Sequence, residues 1–321
     1  MPPPLYRSVF LLIWIITCTS ATSTLTDADR LPLSGDERRL VSFVQDNVPP
    51  STLAHLGWTD HTTLVTAIRA PTFLQFVEGF CGIGRLYDEA LQVGLRARAL
   101  DLSMSSAHDI LDDRGFGMFL TTLLMLAPGS TFWLGVPCST FVWIAMGHTH
   151  RRASNPEGDT TNRMVADANL LLFRVVILCC ICVMRSVLFI IEQPAGTLLF
   201  KMQVWLRFMS LAPRVLQVPL RRHHLWLGGL GHVLPKPTVL WGCHPALTRI
   251  IGKRPTSRMV IHNRAKVGTV AWSSWVNKFG RRRWCGNRKN DGLKRSGEYP
   301  LEFAKVVIQH VRHTCDASRV W

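Results

Sequence analysis

Apolar residues recur along this chain in two rhythms. Short, nearly continuous apolar runs at Thr72–Val77, Ala97–Leu100, Thr131–Val136 and Val187–Ile191 predict strands buried on both faces, where polar alternation is lost. Between them, Arg85–Val93 carries helical spacing at Leu86, Ala90 and Leu91, and Val165–Met184 reads as a long buried helix. Arg174 and Arg185 interrupt the run 165–191, and charge inside a bilayer is costly, so no stable membrane span is predicted there. Strands alternating with helices predict an α/β fold: a Rossmann-like sheet with helices on both faces. The last helix is predicted at Glu302–Arg312, with Phe303, Val306, Val307 and Val311 covering one face of the sheet.

Upstream, Ser34–Val48 and Asp60–Arg69 read as helices separated by Pro49-Pro50, the first opened by a Ser34-x-x-Glu37 capping box. This N-terminal helical extension, residues 30–70, is too small to hold a core of its own. Before it, Arg7, the apolar segment Val9–Ile16 and small residues near Ser20-Ala21 have the layout of a signal or targeting peptide over residues 1–21, pointing to a secretory or organelle destination; a short anchor from Leu5 and a nuclear or cytoplasmic protein with a misassigned start are the alternatives. Residues 72–250 form the expected main domain and 251–321 a C-terminal region. Within 201–250, Arg221-Arg222-His223-His224 reads as a loop entering a strand, and Lys236–Trp241 as the next strand.

Gly82 and Gly84 fall where the first strand turns into its helix, and a glycine turn there lets the backbone approach a ligand closely. Asp101 closes the second strand about 20 residues beyond that turn, where a doubly wound sheet places a carboxylate that grips a ribose. The third strand runs into Pro137-Cys138-Ser139 and the fourth into Glu192-Gln193-Pro194. If the strands are parallel neighbours, Asp101, Cys138 and Glu192 meet at one edge of the sheet, the carboxyl edge where such folds bind ligands. Cys138 reads equally as a buried structural thiol, and Glu192 as a carboxylate that tethers a loop.

These segments resemble the DNA cytosine-5 methyltransferases. The cofactor motif of that family, Phe-x-Asp-x-Phe-x-Gly-x-Gly-Gly, is met by Phe76, Glu78, Phe80, Gly82 and Gly84; its Pro-Cys-Gln motif by Pro137-Cys138-Ser139; its Glu-Asn-Val motif by Glu192-Gln193-Pro194; and its Asp-Ile segment by Asp109-Ile110. A looser likeness to methyltransferase-like proteins of microalgae adds Cys138–Trp143 and Lys236–Thr238. The resemblance spans roughly residues 73–312. It implies a class I fold that binds S-adenosyl-L-methionine through Glu78, Phe80, Gly82, Gly84, Asp101, Asp109 and Pro137. It further implies that Cys138 adds to carbon 6 of cytosine while Glu192 steadies ring nitrogen 3, making carbon 5 electron-rich. The base would leave its stack to be reached, and a thiol beside a sulfonium and cations would ionise easily.

The chain departs from the family at Arg85, which replaces the third glycine and is expected to point outward from the first helical turn, and at Ser139 and Gln193-Pro194; no Gln-x-Arg-x-Arg segment follows. Two other readings therefore stand beside methyl transfer to nucleic acid: a non-catalytic nucleic-acid-binding protein on the same fold, and a methyltransferase acting on a small molecule or protein.

Charge sharpens the choice of partner. Residues 1–200 hold 14 Lys+Arg against 17 Asp+Glu, whereas residues 201–321 hold 23 against 4, so the two parts carry −3 and +19. Such clustering predicts a polyanionic partner, DNA or RNA, bound with release of counterions, although the same charge would also attract an acidic membrane and does not by itself select nucleic acid. The densest stretch contains Arg281, Arg282, Arg283 and Lys289, interleaved with Trp272, Trp275 and Trp284 that could stack on bases. His148, His150, Arg151 and Arg152, on the polar stretch after Cys138, are a second candidate contact with nucleic acid. Cys179-Cys180-x-Cys182 lacks the wider ligand pairs of a zinc site and reads as core packing, so no metal is expected.

Overall fold

The computed structural model describes residues 32–215, 218–232, 234–259, 261–262, 272–276, 282–286 and 297–318. The chain divides into two compact units, residues 1–39 and residues 40–321. The predicted leader, residues 1–21, lies outside the described residues.

Helix α1 (Gly35–Asn47) starts at the predicted capping box: Ser34 Oγ accepts from the Glu37 amide at 3.1 Å, and the Glu37 carboxylate accepts from the Ser34 amide at 2.8 Å. Pro49-Pro50 does more than separate helices. Pro50 opens a short helix, α2 (Pro50–His55), because proline's fixed φ suits the first helical turn. Helix α3 (His61–Ile68) follows, capped by Asp60, which accepts from the Thr63 amide at 2.9 Å.

The main sheet has six strands: β1 (Leu74–Gly79), β2 (Ala97–Leu100), β3 (Leu126–Leu134), β4 (Leu188–Pro194), β5 (Arg221–Trp226) and β6 (Pro237–Gly242), in the spatial order β2-β1-β3-β4-β6-β5. The first four are mutually parallel, with Val77 opposite Arg98 and Phe132, and Phe132 opposite Phe189. The last two are not. β6 runs antiparallel to β4, pairing Pro194 with Thr238, and β5 runs antiparallel to β6. The segment Arg221–His224, expected as a loop, is the first part of strand β5; at the sheet's edge one face of a strand can be polar, and this one carries charge.

Alternate residues of the central strands face opposite layers. Phe76, Trp133, Ile190 and Leu240 pack under α4 (Arg85–Gln92) and α8 (Leu301–Ser318), with Leu86, Phe303, Val307 and Val311 supplied by the helices. On the other face, α5 (Asp113–Leu124) brings Phe119 against Gly79, and α7 (Gln203–Val215) brings Phe208 to 5.9 Å from the Phe189 ring. The long apolar helix α6 (Arg163–Met184) lies beside α7 and β4; Val175, Leu178, Cys179 and Cys182 are fully buried. It is the one described helix long and apolar enough to cross a membrane, but its middle carries Arg174, buried and bonded to Ile110 O at 2.8 Å and to the Asp113 carboxylate. The backbones of β7 (Trp272–Val276) and β8 (Arg282–Gly286) pair in a separate two-stranded sheet.

Arg151 is placed against expectation. The sequence points to it as a nucleic-acid contact, yet it is fully buried, and its guanidinium sits 4.2 Å from the Phe141 ring centre. It donates to Asn169 Oδ1 at 2.8 Å, to Pro156 O, and at 3.4 Å to Thr140 and Val165 O. The arginine thus ties the loop that follows Cys138 to the start of α6. Gly158, with φ of +70°, allows this, because a Cβ there would lie 2.7 Å from Arg151 Cγ. Burial pushes the Arg151 pKa down to about 10, so it remains charged at neutral pH. Arg152, by contrast, is exposed. Arg151→Ala should cost about 2–4 kcal/mol, since it strands buried acceptors, whereas Arg152→Ala should leave stability unchanged. Urea unfolding of the two variants compares them directly, and equal stabilities would contradict the structural role of Arg151.

Candidate functional site

The parallel order leaves the ends of β1, β2, β3 and β4 at one edge, with β1 and β3 on either side of the point where the chain changes direction across the sheet. Beyond β1, Phe80, Gly82 and Gly84 adopt φ of 57°, 56° and 72°, three left-handed residues in five. Phenylalanine seldom accepts that conformation. Its ring is docked 5.3 Å from Phe119, and its amide donates to Leu100 O at 2.7 Å. A Cβ at Gly82 would meet nothing within 4 Å, so the glycine is required by its backbone angle and borders open space.

Asp101 holds this loop. Its Oδ2 accepts from the Gly82 amide and its Oδ1 from the Ser103 amide, both at 2.8 Å. Burial pushes its carboxyl upward, but the bonds from Ser103 and Gly82 outweigh that and keep it below the ordinary value, so it is ionised at neutral pH. Glu78, fully buried on β1, accepts from the Tyr87 amide in the first turn of α4 at 2.7 Å; its other oxygen is buried without a partner. Arg85 does not simply point outward: its side chain is half-buried, with Nε enclosed and unpartnered. Asp109 lies in the connection from β2 to α5 and accepts from the Leu111 amide at 3.0 Å.

Beyond β3 the chain runs through Val136 and the exposed Pro137 to Cys138, which is half-buried. Gln193 fixes this stretch to β4: it donates to Val136 O and accepts from Thr197 Oγ1 at 3.1 Å. Glu192 is 7% exposed. Its Oε2 accepts from the Tyr299 hydroxyl at 3.2 Å, while its Oε1 is buried without a partner. Tyr299 in turn accepts from Trp133 Nε1 at 3.1 Å, with the two rings edge to face at 5.9 Å. Gly135 makes room for this contact, since a Cβ there would lie 2.9 Å from the Tyr299 hydroxyl. The Cys138 thiol is pushed up, first by burial and then by the charge of Glu192, with Lys236 pulling the other way; the expectation that it ionises easily does not hold for these residues alone.

Asp101, Cys138 and Glu192 therefore lie on one sheet edge, as the strand pattern predicts. No sequence pattern marks Tyr299 or Trp133 as members of the site, and Gln193 and Lys236 enter it with roles that their motifs do not convey. The signal for these residues is tertiary: Tyr299 meets Glu192 across 107 positions of sequence. Of the cations expected to meet nucleic acid, Arg281 and Lys289 lie outside the described residues, and Arg282 and Arg283 are described only as backbone of β8. Among the described residues no group of three or more His, Cys, Asp and Glu side chains could hold a metal ion, and Cys81, Cys138, Cys179, Cys180, Cys182 and Cys243 are free thiols. Neither a protein-family model nor a curated protein matches this sequence.

Glu78 supplies a pH test of this geometry. Burial lifts its pKa from 4.5 to about 8; the Tyr87 amide opposes the rise, and the charges of Asp88 and Asp101 add to it. Between those two values the folded chain holds a proton that the unfolded chain releases. The stability from this group is thus complete below the lower value and is lost as pH rises through the upper one, by at most about 1.4 kcal/mol per pH unit. Denaturation at about pH 5 and about pH 9 should show the wild type losing more stability than Glu78→Gln; parallel losses would mean that Glu78 is ionised in the fold.

Proposed function

We propose that the protein is a methyltransferase of Rossmann-like class I fold that uses S-adenosyl-L-methionine and acts on nucleic acid, with cytosine as the base the site chemistry suits. The observation that carries this reading is the Gly82–Asp101 hydrogen bond. It joins a left-handed glycine turn after β1 to an ionised carboxylate after β2, beside the switch point of a parallel sheet. Around it Ile83, Leu102 and Met104 stand in water with 47%, 58% and 53% of their surface exposed, an apolar margin suited to a purine ring. Gly82 and Gly84 would admit the cofactor backbone, Asp101 the ribose hydroxyls, and Glu78, Phe80, Asp109 and Pro137 would shape the walls. The cofactor would supply an electrophilic methyl group.

The chain's own residues would prepare the acceptor. Cys138 would add to carbon 6 of the base, placing an electron pair on carbon 5, and Glu192 would meet ring nitrogen 3. The unpartnered, buried Glu192 Oε1 supports that role, because an acceptor without a donor is costly until a ligand provides one, and the exocyclic amino group of cytosine beside ring nitrogen 3 carries such a hydrogen. A second reading, a non-catalytic nucleic-acid-binding protein on the same fold, is favoured by the raised Cys138 thiol. Titrating S-adenosyl-L-methionine into the full chain by calorimetry should give binding at about micromolar level that Asp101→Ala removes. No binding would shift the weight to the non-catalytic reading.

The partner follows from charge. No Asp or Glu occurs between Glu192 and Asp291. Within that span Arg221, Arg222, Arg249, Lys253 and Arg254 are all exposed, and residues 250–254 lie along edge strand β5 through bonds of Trp226 N to Gly252 O at 2.9 Å and His223 Nε2 to Ile250 O at 2.9 Å. Such a ridge would gain affinity by releasing phosphate counterions. Replacing Arg221, Arg222, Lys253 and Arg254 with Gln should flatten the salt dependence of DNA or RNA binding. The log-log slope should fall by about 0.9 for each duplex phosphate that is no longer neutralised, and by about 0.7 for each phosphate of a single strand. An unchanged slope would place the phosphate-binding cations elsewhere.

A further inference from the structure

Lys236, like Phe80, is a left-handed non-glycine position at the site. Its φ is 37°, left-handed, although it precedes a proline, which disfavours compact conformations for the residue before it. Strain of this kind persists where surrounding structure enforces it, and it gathers at functional sites. The enforcement is visible. Leu227 N donates to Lys236 O at 3.1 Å and Gly228 N to Pro235 O at 3.0 Å, while the Thr238 hydroxyl donates back to Lys236 O at 3.1 Å. A Cβ at Gly228 would lie 2.8 Å from Leu234 O, so only glycine lets the turn sit this close.

The antiparallel strand explains where the strained residue is delivered. Because β6 runs against β4, its beginning lies beside the end of β4: Thr238 pairs with Pro194, and Ala195 N donates to Pro237 O at 2.9 Å. Lys236 Nζ lies 5.9 Å from the centre of the Tyr299 ring, whose hydroxyl is bonded to Glu192. We propose that Lys236 is a positioning residue of the site: its ammonium, held over Tyr299 at the carboxyl edge, offsets the charge of Glu192 at the Cys138 sulfur and sets how readily that thiol becomes a nucleophile. The groups that bear on Cys138 are Glu192 from β4 and Lys236 from the turn before β6, of opposite sign. Tyr299, which precedes α8, lies between the two, and burial keeps it neutral by raising its pKa far above the ordinary value. This inference deepens the reading of Cys138 as nucleophile given above, but it stands on thiol chemistry that can be measured without cofactor or acceptor.

The test is the pH profile of alkylation of Cys138 by iodoacetamide in the full chain, read peptide by peptide by mass spectrometry. In that reaction the sulfur–carbon bond forms, iodide leaves with its electron pair and the thiol proton passes to water. Lys236→Met should move the Cys138 profile to higher pH and slow alkylation at neutral pH about three- to tenfold, a tenfold change corresponding to one pKa unit. Lys236→Arg should restore the profile, and Glu192→Gln should move it the opposite way. A profile that Lys236→Met leaves in place overturns the proposal. So does a shift that Lys236→Arg fails to reverse, since that would assign the effect to packing of the lysine stem. Failure of the protein to bind S-adenosyl-L-methionine would remove the methyltransferase reading and leave this result unaffected.

Discussion

The parallel pairing of β1 with β2 on one side and β3 on the other is the constraint on which the rest of this molecule depends. Parallel strands all end at the same edge, so loops separated by many residues are brought together, and bonds such as that of Gly82 to Asp101 then hold them. The glycine turn, Asp101 and the Cys138 loop owe their proximity to that pairing. The antiparallel strand β6 completes the arrangement in the opposite sense, since what it brings to the edge is its beginning. A sheet of parallel strands alone would have carried the Pro235–Pro237 turn to the far side.

Once gathered, the polar groups had to be held in an interior that excludes water. Glu78 and Glu192 both stand on the strand positions that face α4 and α8, two carboxylates in one apolar layer, the first bonded to the Tyr87 amide and the second to the Tyr299 hydroxyl. Each has one oxygen bonded and one without a partner. A molecule selected for stability alone would gain by replacing these carboxylates with apolar groups of similar volume. Their presence, together with the left-handed Phe80 and Lys236, adds local energetic cost at this edge, while Phe119, Phe132 and Phe189 pack on the opposite face.

How much of this is legible in the sequence depends on the range of the interaction. Strand β2 and helix α4 are local patterns, and both stand within a residue of their predicted limits; Asp101 follows from its spacing after the glycine turn. The capping box, four residues long, is equally plain. Arg221–His224 does not read as strand because edge position, which makes a charged strand tolerable, is a property of the whole sheet. Arg151 misleads because arginine is normally a surface residue, and only the assembled cage of Phe141, Pro156 and Asn169 provides for its burial. The partnership of Tyr299 with Glu192 is set by where α8 docks, which no local pattern encodes.

Arg174 has a consequence for the order in which the chain assembles. Helix α6, 22 residues long, leaves the ribosome before β4 and α7 but after α5, and all three pack against it, so for a time it is only partly covered. The partners of its arginine, Ile110 and Asp113, are by then already synthesised. The charged group, like Asn169 near the start of the helix, thus meets partners that are made in advance. A charge in mid-helix penalises burial of that helix in lipid and favours the partners that the earlier chain supplies.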